Sequence, residues 1–100
     1  MKDITAQELK SKMDKGEEFF LLDVRQDFEH AMYNIGGTLI PLANLPSSID
    51  EIEEHKDREV IVYCRSGMRS GTAKQILVQQ GFKNVRNLLG GVLGWQGEGY

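Results

Sequence analysis

Two runs of apolar residues, at positions 19–24 and 60–63, stand out from a chain in which polar and apolar residues are otherwise mixed. Both runs are nearly continuous rather than alternating, which is typical of strands that are buried on both faces. Two further short strands are predicted at 38–40 and 85–88. We therefore expect a sheet whose central strands have other elements packed against both faces.

Between these runs, apolar residues recur with helical spacing and are flanked by helix start and stop signals. The segment 5–8 has the Thr-x-x-Glu pattern of a capping box, and Gly16 is a stop signal for the helix that it opens. The buried face of that helix is expected to consist of Ala6, Leu9 and Met13. The remaining predicted helices are one at 27–32, one that begins at Ser47 or Ser48 and buries Leu45, Ile49 and Ile52, one at 69–80 that Gly81 ends, and a short closing helix at 92–95.

The predicted elements alternate between strands and helices, and Pro41 and Pro46 bracket a loop. Strands that are separated by helices of this length form parallel sheets with right-handed crossovers. The sequence thus predicts one α/β domain over residues 1–100. Its mainly parallel central sheet has about five short strands, with helices on both faces.

Composition agrees with one small globular domain. Of the 100 residues, 40% are hydrophobic and 27% are charged, which is ordinary for such a domain. No apolar stretch approaches the roughly 20 residues that a membrane-spanning helix needs. Residues 1–15 are polar and charged rather than signal-like. We expect a cytoplasmic monomer with no membrane partner.

The net charge of −3 conceals an uneven distribution. Residues 1–59 carry 14 acidic and 7 basic side chains, whereas residues 60–100 carry one acidic and 5 basic side chains. The segment 60–80 contains no acidic residue. A basic pocket in an acidic protein suits a small anion through local electrostatic steering. It does not suit nucleic acid, which requires a basic stripe with exposed aromatic side chains.

Cys64 is the only cysteine and directly follows a predicted buried strand. The thiolate is the reactive form, and nearby cations or a helix N-terminus lower the usual thiol pKa of roughly 8.5. Arg65 and Arg69 supply cations, and the helix predicted to begin near 68–70 supplies free backbone N–H groups. Gly67 can take the positive φ that a tight anion-binding turn requires. These features predict a loop that holds a thiolate or an anionic substrate group.

A lone cysteine is more often an inert core residue, because free cysteine is among the most buried residue types. The position of Cys64 favours reactivity instead. Ligands of α/β folds bind at the carboxyl ends of central strands, and two arginines are costly to keep beside an inert buried thiol. Since the chain has no second cysteine, any sulfur that Cys64 carries must pass to an external acceptor.

Three segments of the chain resemble the signatures of a single-domain rhodanese. They are the loop Cys64-Arg65-Ser66-Gly67-Met68-Arg69, the earlier Leu22-Asp23-Val24-Arg25 followed by Glu29, and the closing Gly90-Gly91-Val92-Leu93-Gly94-Trp95. They occur in the order of that family and span nearly the whole chain. The resemblance implies a sulfurtransferase that moves a sulfane sulfur from thiosulfate or a persulfide donor to a thiol or cyanide.

The resemblance also implies roles for single residues. Cys64 accepts the sulfur and becomes a persulfide, while Asp23, Arg25 and Glu29 support the sheet and brace the active-site loop. The substrate-binding residues of that loop are Arg65, Ser66, Gly67, Met68, Arg69 and Ser70. No cofactor is expected. No metal is expected either, because one cysteine and two distant histidines lack the spacing of a ligand set.

One segment departs from the pattern of the rhodanese family. Tyr33-Asn34 stands where family members commonly have Gly-His, and Thr38 stands where they have Ala. This departure lies outside the sulfur-binding loop. We expect it to affect local packing or partner contacts more than the chemistry.

Three alternatives compete with this interpretation. Cysteine phosphatases have a similar strand, loop and helix, but they use a Cys-x5-Arg loop, whereas here Arg69 follows Cys64 after four residues and Ser70 occupies the next position. A rhodanese-like interaction module without catalysis is disfavoured by the presence of Cys64 and both arginines. His30 or His55 could serve as a general base for the thiol, but neither belongs to a motif.

Overall fold

The computed structural model describes residues 2–100. Within that range four parallel strands form one sheet in the order β2-β1-β3-β4. The strands are β1 (Phe20–Asp23), β2 (Thr38–Leu39), β3 (Glu59–Tyr63) and β4 (Asn84–Asn87). The predicted α/β class with a parallel sheet is confirmed, with four strands instead of about five. A single parallel bridge between Ile4 and Leu88 extends the β4 edge, and the first helix begins two residues later, before a longer strand can form.

Helices cover both faces of the sheet, as predicted. The α-helices are α1 (Ala6–Asp14), α2 (Asp27–Met32), α3 (Met68–Gln79) and α4 (Gly91–Gly97), and two 3₁₀ helices span Leu42–Ser47 and Ile49–His55. None of the helices in the described part of the chain is long and apolar enough to cross a membrane.

The capping box predicted for α1 is half formed. The Glu8 backbone N–H donates to Thr5 Oγ1 at 3.1 Å, so Thr5 caps the helix. The Glu8 carboxylate does not close the box, because it pairs with Arg86 at 2.9 Å. A long-range ion pair to β4 therefore replaces the local contact.

The prediction of a loop between Pro41 and Pro46 is wrong, because this segment forms the first 3₁₀ helix. The next helix, predicted from Ser47 or Ser48, is also of the 3₁₀ type. Pro46 has no N–H for a helical hydrogen bond, and the hydroxyls of Ser47 and Ser48 both donate to the Asn44 carbonyl instead of capping the following helix. These local contacts favour the tighter three-residue turn.

The central strands divide their side chains between two hydrophobic cores, because successive residues of a strand point to opposite faces. The first core, between the sheet and α3 with the 3₁₀ helices, consists of Leu22, Val24, Ile40, Leu45, Ile49, Ile52, Val60, Val62, Cys64, Ala73, Leu77, Phe82 and Val85. The second core, between the sheet and α1 with α4, consists of Ile4, Ala6, Leu9, Leu21, Ile61, Tyr63, Leu88, Val92 and Trp95. This double burial accounts for the continuous apolar runs in the sequence.

The parallel arrangement brings the carboxyl ends of the strands to one edge of the sheet. Asp23 pairs in register with Tyr63, and Val62 pairs with Asn87. Cys64 follows β3 directly at this edge. The end of β1, the end of β4 and the start of α3 therefore surround the cysteine.

Candidate active site

Cys64 is buried, with a relative exposure of 1%, and its sulfur lies in a turn that leads into α3. The Gly67 backbone N–H donates to Sγ at 3.1 Å, and the Ser70 hydroxyl lies 3.3 Å from Sγ. Gly67 has a φ of 109° and forms the N-cap of α3. This is a conformation that other residues rarely adopt. The geometry places the sulfur among hydrogen-bond donors at the positive end of a helix.

Two opposing effects set the pKa of the Cys64 thiol. Burial raises it, whereas hydrogen bonds from the Ser70 hydroxyl and from the backbone N–H groups of Ser70, Gly67 and Ser66 lower it. The hydrogen bonds prevail, and the pKa lies below its ordinary value. The main causes that lower the pKa are thus neutral donors, namely the Ser70 hydroxyl and the backbone N–H groups that the sequence predicted, ahead of the charges of Arg65 and Arg69.

Arg69 points toward α2 and forms a fork-shaped ion pair with Glu29. Its two terminal nitrogens lie 2.7 Å and 2.9 Å from the two carboxylate oxygens. Hydrogen bonding to Arg69 lowers the pKa of Glu29 to about 2, and the same pair raises the pKa of Arg69. The ion pair connects the helix that follows the cysteine loop to the helix that follows β1.

Asp23 and Arg25 form a buried ion pair at the end of β1. The Arg25 guanidinium donates to both Asp23 oxygens, with its shortest contact at 2.8 Å, and also to the Tyr33 carbonyl at 2.7 Å. His30 Nδ1 lies 2.8 Å from Asp23 Oδ2. Burial raises the pKa of Asp23, but hydrogen bonds from Arg25 and His30 outweigh it and keep that pKa below its ordinary value. This cluster orders the segment between β1 and β2.

The atypical segment after α2 is held by polar contacts of its own. The Asn34 amide donates to the His30 carbonyl and accepts from the Gly36 N–H, both at 2.9 Å. The Tyr63 hydroxyl accepts from the Ile35 N–H and donates to the Gly36 carbonyl. Asn34 therefore has a local turn-forming role in this chain.

The glycine pair at the start of α4, Gly90 and Gly91, lies directly against the cysteine loop. The Val92 N–H donates to the Cys64 carbonyl at 2.9 Å, and the Leu93 N–H donates to the Arg65 carbonyl at 3.0 Å. A Cβ on Gly91 would lie 2.4 Å from the Cys64 carbonyl oxygen. The closing glycine motif thus permits α4 to support the loop by backbone contact, which extends the sequence interpretation of these glycines as packing residues.

Arg65, Ser66 and Met68 are exposed at the surface of the loop, Met68 with a relative exposure of 82%. Within residues 2–100, no hydrogen bond or ion pair engages the Arg65 side chain. Arg65 borders a pocket of about 270 Å³, whose other lining residues are Arg25, Glu29, Met32, Tyr33, Val92, Leu93 and Gln96. A larger pocket of about 470 Å³ lies between α3 and β4, where Lys74 and Asp3 form an ion pair. Of these two pockets, the smaller one lies beside the cysteine loop and contains, in Arg65, a cation without a side-chain partner among residues 2–100.

The structure therefore brings Cys64, Gly67 and Ser70 into direct contact, and it joins Arg69 to Glu29. His55 stacks on Phe20 at the start of β1, with ring centroids 3.9 Å apart. It therefore lies near the amino ends of the strands, whereas Cys64 lies at their carboxyl ends. Sequence reasoning missed Asn87, whose side chain contacts Ser70. The available signal was a polar residue within the strand predicted at 85–88.

The chain is similar in sequence and in fold to known proteins. Residues 5–98 match the family model described as Rhodanese-like domain. The chain is 39% identical to YtwF of Bacillus subtilis over 98% of this chain and 93% of YtwF. It is 38% identical to a sulfurtransferase of Allochromatium vinosum, over 97% of this chain and 90% of the relative. A rhodanese-like domain protein from Staphylococcus aureus has a crystal structure that superimposes with a TM-score of 0.84 at 32% identity, covering 95% of this chain and 91% of that one.

Proposed function

This chain belongs to the rhodanese-like domain family, and we propose that it is a sulfurtransferase that carries a sulfane sulfur on Cys64. The observation that supports the proposal most directly is the set of donors around the thiol. Gly67 N–H and the Ser70 hydroxyl lie 3.1 Å and 3.3 Å from Sγ. Such donors stabilise a thiolate without a neighbouring base.

In the first half of the proposed reaction, the Cys64 thiolate attacks the outer sulfur of a donor such as thiosulfate or a small persulfide. A bond forms between Sγ and the outer sulfur, and the donor's sulfur–sulfur bond breaks. With thiosulfate, sulfite departs with the bonding electron pair. Arg65 borders the adjacent pocket without a side-chain partner among the described residues, so we assign it to the anionic end of the donor.

In the second half, an acceptor thiolate or cyanide attacks the outer sulfur of the persulfide. The bond from Sγ to that sulfur breaks, and Cys64 leaves as a thiolate with the electron pair. The same donors that stabilise the attacking thiolate also stabilise it as a leaving group. The acceptor departs as a persulfide or as thiocyanate, and the enzyme returns to its starting state.

Phosphoryl transfer is the weaker candidate for this site. A phosphatase loop has five residues between cysteine and arginine and can cradle a tetrahedral phosphate, whereas only four residues separate Cys64 from Arg69. Here Arg69 is engaged by Glu29, and the position after it is Ser70, whose hydroxyl points into the protein toward Sγ and Asn87. We therefore expect negligible hydrolysis of aryl phosphates.

The proposal is tested by treating purified wild type and Cys64→Ser with thiosulfate. Intact mass should show one additional sulfur atom on the wild type and none on the variant. Thiosulfate-to-cyanide transfer should be lost in the variant, while circular dichroism shows an unchanged fold, because one sulfur atom becomes oxygen at nearly constant volume. Substantial transfer by Cys64→Ser would rule out Cys64 as the carrier, and efficient aryl phosphate turnover by the wild type would favour the phosphatase.

A further inference from the structure

Asn87 ends β4 and connects the two residues that contact the Cys64 sulfur. Its side-chain Oδ1 lies 2.5 Å from the Ser70 hydroxyl, and its Nδ2 donates to the Gly67 carbonyl at 3.0 Å. The relative exposures of Ser70 and Asn87 are 0% and 8%. Both side chains are therefore buried polar groups whose hydrogen bonds must be satisfied within the protein.

These contacts fix the orientation of the Asn87 amide. Reversing it would place Oδ1 against the Gly67 carbonyl oxygen, which leaves two acceptors facing each other without a proton. In the observed orientation Oδ1 faces Ser70 and can only accept. The Ser70 hydroxyl thus has one proton and two acceptors within reach, which are Asn87 Oδ1 and Cys64 Sγ.

The charge on the sulfur decides which acceptor receives this proton. A charged acceptor forms a stronger hydrogen bond than a neutral one, so a thiolate attracts the Ser70 proton. A neutral sulfur is a weak acceptor, and the proton then has a better partner in the Asn87 amide oxygen. Without Asn87, a fully buried hydroxyl would lack a good acceptor in that state.

We propose that Asn87 is a positioning residue. It accepts the hydrogen bond of the Ser70 hydroxyl whenever Sγ is neutral, and the hydroxyl turns to Sγ when Sγ becomes charged. In the thiol, S–H donates to Ser70 Oγ, and the Ser70 hydroxyl donates to Asn87 Oδ1. In the thiolate, the Ser70 proton turns to Sγ and Oδ1 faces Oγ without a proton. Asn87 therefore favours the neutral forms of the sulfur over the thiolate.

The part of this inference that concerns the persulfide rests on the proposed function. In the persulfide Sγ is bonded to two heavy atoms and is neutral, so the Ser70 proton lies on Oδ1. When an acceptor removes the outer sulfur, the electron pair returns to Sγ and the Ser70 proton follows it. Asn87 thus stabilises the loaded state against premature discharge.

Three carboxylates and one guanidinium near this network, those of Asp3, Asp23, Glu29 and Arg69, keep their charge in the range where a thiol titrates. Asp3 accepts from the Asn87 backbone N–H and pairs with Lys74, and its pKa lies below its ordinary value because hydrogen bonds from Lys74 and Asn87 outweigh burial. Glu29 has its pKa lowered and Arg69 has its pKa raised by their mutual pair. Asp23, with Arg25 and His30 bound to it, also has a lowered pKa, where those hydrogen bonds outweigh burial.

Two variants of similar size test the proposal through opposite expected effects. Asn87→Leu removes the competing acceptor. The Ser70 hydroxyl then donates only to Sγ, which stabilises the thiolate, so the apparent pKa of Cys64 falls. Asn87→Asp supplies a stronger, charged acceptor, so that pKa rises. Each change should alter the thiol–thiolate equilibrium by about twofold to tenfold, the range of one hydrogen bond. The measurement is the pH dependence of iodoacetamide alkylation of the sulfur-free protein.

Both variants lose the donor to the Gly67 carbonyl. If Asn87 only supported the loop, Asn87→Leu would loosen the donors around Sγ and raise the pKa of Cys64, and that result would overturn the proposal. An unchanged pKa in Asn87→Leu would overturn it as well. Should Asn87→Leu fail to fold, Asn87→Ala makes the same deletion with a smaller side chain, and the same lowered pKa is expected.

The Ser70→Ala background tests whether Asn87 acts through Ser70. There the fall caused by Asn87→Leu should disappear, because no hydroxyl proton remains to be redistributed. Persistence of the full effect would overturn the proposal. Persulfide discharge to a thiol should be severalfold faster in Asn87→Leu than in the wild type. Alkylation needs no sulfur transfer, so failure of the proposed function and failure of this inference are distinguishable.

Discussion

At the scale of single residues, the two loop arginines differ in their partners and hence in their expected roles. Arg69 forms an ion pair with Glu29, whereas Arg65 is exposed at the pocket without a side-chain partner in the described part of the chain. A cation with no internal partner is available to an anionic substrate. From the sequence, the two arginines were equivalent sources of charge. The structure distinguishes their roles.

Arg65→Ala should therefore raise the KM for thiosulfate by about threefold to tenfold, a loss of about 1 kcal/mol for a solvent-exposed charge contact. It should leave the pKa of Cys64 nearly unchanged, because neutral donors are the main causes that lower it. Steady-state kinetics at several ionic strengths gives the measurement. Arg65→Lys serves as the control and should recover part of the binding. An unchanged KM in Arg65→Ala would show that the donor binds elsewhere.

The Glu29–Arg69 pair predicts a pH dependence of stability. The pKa of Glu29 falls from 4.5 to about 2 on folding, so the unfolded chain binds the proton more readily. The contribution of the pair is fully present above about pH 4.5 and is lost as the pH falls toward 2. Arg69 is about a third exposed, and after allowance for screening by solvent we expect about 1 kcal/mol.

The check is to compare urea unfolding of Glu29→Gln and the wild type between pH 7 and pH 2. The wild type should be more stable by about 1 kcal/mol at pH 7, and the difference should vanish near pH 2. Lys83 and Asp57 form a fully exposed pair, so Asp57→Asn is a control that should change stability little at any pH. A difference between Glu29→Gln and the wild type that is constant with pH would contradict the assignment.

At the scale of elements, the start of α4 determines the position of the cysteine loop. Gly91 has a φ of 56°, and a Cβ there would lie 2.4 Å and 2.5 Å from the carbonyl oxygens of Cys64 and Arg65. These are backbone atoms and cannot rotate away. The hydrogen bonds from Val92 and Leu93 to the same two carbonyls depend on this close approach.

Gly91→Ala should destabilise the protein by about 2–3 kcal/mol through backbone strain and steric conflict, and sulfur transfer should fall more than tenfold as the loop moves. Gly97→Ala in the same helix is the matched control. Nothing lies within 4 Å of a Cβ at Gly97, so this change should be neutral or slightly stabilising. Thermal unfolding and transfer activity give both measurements. Equal stability of the two variants would contradict the role assigned to Gly91.

At the scale of the whole molecule, the sheet separates two hydrophobic cores that share its strands. Ile4 belongs to the second core and Ile52 to the first, and both are buried. Side chains on opposite faces of a sheet have no common packing partners. The shared strands nevertheless require both cores to unfold together.

Ile4→Val and Ile52→Val should each destabilise the protein by about 1 kcal/mol, the usual effect of removing one buried methylene. The double variant should show the sum within about 0.5 kcal/mol, in a single unfolding transition with an unchanged dependence on urea. Unfolding followed by circular dichroism and by Trp95 fluorescence provides two probes. Separate transitions for the two probes would show that the cores unfold independently.

Many features of the fold were predictable because local sequence carries their cause. Continuous apolar runs predicted the strands that are buried on both faces, and Gly16 and Gly81 indicated where helices end. The 3₁₀ helices were missed although their cause is local, because Ser47 and Ser48 donate to the Asn44 carbonyl instead of capping the next helix, and the spacing of apolar residues does not show this choice. Similarly, Glu8 failed to close its capping box because Arg86, far along the chain, competes for its carboxylate.

For the candidate site, the sequence by itself determined the position of the thiol at a strand end and the loop that follows it, because strand, turn and helix N-terminus are adjacent along the chain. Tertiary structure alone decided which groups surround that loop. Glu29 engages Arg69 across 40 positions, Asn87 reaches Ser70 across 17, and Gly91 approaches the Cys64 carbonyl. These contacts arise because a parallel sheet gathers the ends of distant strands at one edge, and spacing along the chain does not record distance in space.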